Sequence, residues 1–156
     1  MTSFQEFLRK KADEQHSHLR RERRDEWIVA VSALLDRIDV WLHESDPDRL
    51  LDIIPIRLDK AEAGLGTYEI YGLKIAVGDL AIQVLPVARN VVGSPRIFGD
   101  GAELGGRVDI TDGTRKYIVM RVVKDGKKSW EVLDDQFGAA PLDRARLEAI
   151  IQDLLA

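Results

Sequence analysis

From position 3 to position 44 the chain contains neither glycine nor proline. Leu, Ala, Glu, Lys, Arg and Gln dominate this stretch, and such residues lose little side-chain freedom on entering a helix. The stretch predicts one continuous helix, ~60 Å long at 1.5 Å per residue. Ser3 is placed to cap its start, with Glu6 three residues on to complete a capping box. Asp46 and Pro47 suit the cap and first position of a short helical turn beyond it.

The two halves of the long helix differ. Trp27, Val31, Leu34, Ile38 and Trp41 recur at a 4-3-4-3 spacing, and Ile28, Leu35 and Leu42 widen the stripe. A broad apolar face of this kind packs on a core. Between positions 9 and 26, by contrast, only Ala12 and Leu19 are apolar. Ahead of them, Phe4, Phe7 and Leu8 gather on one helical face. The pattern divides the chain into a charged helical arm, 1–26, and a single α+β domain, 27–156. The domain comprises a packing helix at 27–44, a β-rich region at 53–134 and a closing helix at 142–155.

The β-rich region reads as an antiparallel sheet of about 6–8 strands joined by short turns. Pro55 cannot donate a ladder bond, so 54–58 is expected at an edge. Tyr68 to Tyr71 forms a strand that Gly72 is expected to break. Gly78-Asp79 suits a type II′ turn. That turn pairs Val77 with Leu80, Ile75 with Ile82 and Leu73 with Val84. Pro86 is expected to bend or end the second strand, with a further strand over 87–92 and a turn at Gly93-Ser94-Pro95. Asp112-Gly113 and Asp125-Gly126 mark two later turns. At the second, a three-residue loop, Lys124-Asp125-Gly126, puts Ile118, Met120 and Val122 on the face of Trp130 and Val132. Asp143 caps the last helix, whose Leu147, Ile150, Ile151 and Leu154 form one apolar face.

Composition narrows the classes. Hydrophobic residues make up 45% of the chain, too many for a disordered polymer. With no cysteine there is no disulfide framework, no thiolate zinc site and no cysteine nucleophile. The leading residues lack the pattern of a secretory signal, and no apolar run approaches the ~20 residues of a membrane span. A soluble, cytoplasmic protein is expected. The formal charge of -4 hides an asymmetry. Lys and Arg outnumber Asp and Glu between positions 9 and 26, whereas acids predominate beyond.

Chemical motifs are weak. The run from Gly99 to Gly106 lacks phosphate-loop spacing and leads into a strand, so it reads as a flexible inter-strand loop. His16 and His18 point to different sides of a helix. His43 has Glu44, Asp46 and Asp48 nearby, but capping by Asp46 accounts for that group. Asp109, Asp112, Asp134 and Asp135 cluster near predicted strand ends; turn chemistry accounts for Asp112, and Asp134-Asp135 ends a strand. No catalytic residue, metal, cofactor or membrane is assigned. The groups a monomer does not obviously satisfy, unless the helix folds back on its own body, are Phe4, Phe7 and Leu8 as an apolar anchor, and Arg20, Arg21, Arg23 and Arg24 as a charged contact.

The favoured expectation is a noncatalytic interaction or adaptor subunit that assembles through its N-terminal helix with another protein or a second copy of itself. A nucleic-acid-associated accessory subunit using the basic helix is the alternative. A small enzyme or ligand-binding β domain, with a pocket at Arg107, Asp109 and Lys116, is a second alternative.

Overall fold

A computed structural model describes residues 2–91, 95–134 and 138–156. The first helix, α1, spans Ser3–Ser45 without interruption. Its cap lies one residue earlier than expected. The Thr2 hydroxyl accepts from the Gln5 amide, and the Gln5 side chain accepts from the Thr2 amide. Thr2 and Gln5 thus form the capping box in place of Ser3 and Glu6. The helix stops at Asp46. No new helical turn follows, contrary to expectation. The Asp46 carboxylate instead accepts from the amides of Leu50 and Leu51 at 2.8 and 2.9 Å, while Arg49 takes a left-handed φ of 54°.

Seven strands follow among the described residues: β1 Asp52–Glu62, β2 Gly66–Val77, β3 Leu80–Ala88, β4 Glu103–Thr111, β5 Lys116–Lys124, β6 Lys127–Asp134 and β7 Gly138–Pro141. They pair antiparallel in chain order, leaving β1, with its Pro55, and β7 at the edges. The chain closes with α2, Arg144–Leu155, capped by Asp143. The α+β architecture is therefore that read from the sequence, with β7 as an added short strand.

The β2–β3 hairpin has the expected register, Val77 to Leu80, Ile75 to Ile82 and Leu73 to Val84. Gly78 has φ +58°, as a II′ turn requires. Gly72 does not break β2. Its role is a close approach, since a Cβ there would lie 2.5 Å from the Val84 carbonyl oxygen. It also marks a change of face: Tyr68 and Ile70 are buried before it, Leu73 and Ile75 after it. Beyond Pro86 the β3–β4 register shifts and β3 ends at Ala88, so the strand expected over 87–92 does not form across residues 89–91. Val92, Gly93 and Ser94 lie outside the described residues.

The expected β5–β6 loop and the facing of its strands both fail for one reason. Lys124 pairs with Lys127, so the loop has two residues, Asp125-Gly126, both at positive φ. This register puts Met120 opposite Glu131 and Val122 opposite Ser129. Ile118, Met120 and Val122 then face away from Trp130 and Val132. They can do so because the sheet carries a second small core on that side, with Ala102, Met120 and Val122 buried and Phe98, Leu104 and Leu133 packed against them. The glycine run is likewise more ordered than expected, since Gly105 and Gly106 belong to β4.

The main core lies on the other face. Trp27, Val31, Leu34, Leu35, Ile38 and Leu42 of α1 and Leu147, Ile150, Ile151 and Leu154 of α2 share one apolar cluster with the sheet. Arg144 donates to Glu44 at 2.7 Å, tying α2 to the end of α1.

Candidate interaction surface

The arm is the part of α1 before Trp27, the first buried residue of the helix. Every residue from Thr2 to Arg23 is exposed. Phe4, Phe7 and Leu8 are 66, 54 and 49% exposed, so these three side chains find no cover among the described residues. They occupy positions i, i+3 and i+4, one side of a helix. Lys11 lies over the Phe7 ring at 5.9 Å and pairs with Glu14 at 3.3 Å.

The root of the arm is fastened to the sheet. The Glu26 carboxylate accepts from Arg121 at 2.6 Å and from Lys128 at 3.0 Å. Burial pushes its pKa up, but the hydrogen bonds and charges of Lys128 and Arg121 outweigh that and hold it below the usual glutamate value. Close by, Trp27 packs on Gly106 and meets Trp130 with ring centroids 6.0 Å apart. These contacts fix the direction in which the arm leaves the body.

The predicted arginines differ in their surroundings. Arg24 pairs with Asp25 at 3.5 Å. Arg20, Arg21 and Arg23 form no ion pair among the described residues, and Arg23 lines a hollow of about 310 Å³ with Arg89, Arg121 and Lys128. At about 100° per residue, Arg20 sits roughly 160° around the helix from Phe4. One flat partner surface cannot meet both the apolar anchor and Arg20.

A feature that the sequence does not announce lies between α1 and the β1–β2 edge. It is a groove of about 370 Å³, with Val31, Leu35, Ile53 and Leu73 among its apolar lining and Asp36 and Asp39 among its polar lining. The α1 stripe is legible in the sequence, but nothing local records how far β1 stands from it.

The other candidate residues are accounted for locally. Arg107 donates to both carboxylate oxygens of Asp109, at 2.8 and 3.0 Å. Lys116 lines a separate hollow with Arg115, Tyr117, Arg146 and Asp153, to which neither Arg107 nor Asp109 belongs. The three residues expected to share a pocket are not brought together there. The Asp112 carboxylate accepts from the Arg115 and Thr114 amides, which holds its pKa low. The Asp134 side chain and Asp135 lie outside the described residues. His18 pairs with Glu22, and His43 Nδ1 lies 2.8 Å from the Asp39 carbonyl oxygen. Among the described residues no group of three His, Cys, Asp or Glu is placed to hold a metal ion, and no helix is long and apolar enough to cross a membrane. Comparisons with protein-family models, curated proteins and solved structures find no match to this chain.

Proposed function

We propose that this chain is a noncatalytic assembly subunit, working in the cytoplasm, that docks on a protein surface through the N-terminal part of α1. The observation that supports this reading is the exposed Phe4, Phe7 and Leu8 on a helical arm whose root is ion-paired to the sheet. Burial of such side chains contributes roughly 1.5–3 kcal/mol each. A partner surface supplies that burial; the arm's own body does not.

The test is a photo-crosslinking amino acid at Phe7 in the full chain, expressed in its native host, with Asp125 in the β5–β6 turn as the control position. A protein adduct at position 7 that is absent at position 125 is expected. Equal labelling at both positions, or none, overturns the reading.

A nucleic-acid accessory role is the second reading, favoured by Arg20, Arg21 and Arg23 lacking carboxylate partners among the described residues. It predicts binding to a duplex or single strand that falls steeply between about 50 and about 200 mM salt, as phosphate contacts do. Absence of salt-sensitive binding removes it.

A further inference from the structure

We infer that the groove between α1 and the β1–β2 edge receives the Phe4-Phe7-Leu8 face of a second copy of this chain. The inference rests on the proposed docking role of the arm and names its partner.

Three observations converge on that occupant. The first is chemical fit. The groove offers apolar Val31, Leu35, Ile53 and Leu73 with acidic Asp36 and Asp39, and the arm offers three apolar anchors with Lys11 on the same helical face. Anchors at i, i+3 and i+4 are how an amphipathic helix seats in an apolar groove. The second is reach. Val31 lies roughly 36 Å beyond Phe7 along the same unbroken helix, so the arm cannot fold back into its own groove. The third is the arm's polar middle. With only Ala12 and Leu19 apolar between positions 9 and 26, two arms lack the continuous seam that a helix pair zips along. Reciprocal exchange of arms closes a dimer with two such contacts.

The experiment is sedimentation equilibrium on the full chain and three variants, each checked for folding by circular dichroism. F4A/F7A removes the anchor. S32W fills the groove from an exposed position on its lining, and D36R reverses a groove charge while leaving the apolar lining intact. The native chain is expected to dimerise, and F4A/F7A and S32W to weaken dimerisation about 30-fold or more, the scale of a hot-spot truncation. D36R is expected to weaken it in the same direction. An equimolar mixture of F4A/F7A with S32W is expected to regain association, because each supplies the half that the other lacks. The chain has no cysteine, so K10C in one copy and S32C in another give a clean pair for a short bismaleimide, with D125C as the control. Crosslinking of K10C to S32C above that control is expected. A native chain that stays monomeric at about 100 µM, in the range of weak association, overturns the inference. If F4A/F7A dissociates while S32W and D36R do not, the arm seats elsewhere: the inference falls and the docking role stands. If all variants associate as the native chain does, both fall.

Discussion

Gly106 has no room for a side chain. A Cβ there would come within 2.0 Å of the Trp27 ring, and φ is +151°. Gly106→Ala is expected to destabilise the protein by about 2–3 kcal/mol, through overpacking against a fully buried ring. Gly113 also has positive φ but opens on empty space. Gly113→Ala is expected to cost only about 1 kcal/mol, from backbone strain. Urea midpoints of the two variants check the contrast. Glu26 makes a pH prediction. Its folded pKa lies below the ordinary value of 4.5, so its contribution to stability is present above that value and is lost as pH falls through the lower folded value. Glu26→Gln should therefore be less stable at neutral pH and lose less stability between about pH 5 and pH 3, as urea melts across that range will show.

At the scale of elements, β5 is the informative strand. Its alternate residues face two different cores, Val119 the main one and Met120 and Val122 the smaller one. Val122→Asp is expected to cost about 3 kcal/mol or more, since it buries a carboxylate without a partner. Thermal melts will measure it; a change within about 0.5 kcal/mol, the range of surface substitutions, shows that face to be open to water. The misjudged β5–β6 register has the same origin. A one-residue slip exchanges the faces of a strand, and when both faces are apolar the pattern cannot choose between registers. The Asp-Gly dipeptide did carry the signal, because both residues of a type I′ turn take positive φ.

For the whole molecule, the buried face of α1 begins at Trp27, beyond the arm. A chain starting at Asp25 keeps Glu26, Trp27 and the entire buried stripe. It is expected to fold with a urea midpoint close to that of the full chain at concentrations where both are monomeric, and to lose self-association. A large drop in midpoint in the monomer shows that the arm packs on the body. The cluster of Phe4, Phe7 and Leu8 was legible in the sequence because an apolar group followed by a polar helix stands out. The groove was not, because its two walls, α1 and the β1–β2 edge, are distant in sequence.

Local pattern alone determined the two helices, the β2–β3 hairpin and the apolar cluster of Phe4, Phe7 and Leu8, since each depends on neighbours a few residues apart. Only the tertiary structure decided the second core, the β5–β6 register, the clash that reserves position 106 for glycine, and the groove beside α1. Each of these depends on which distant segments meet, and local side-chain preference carries no record of that.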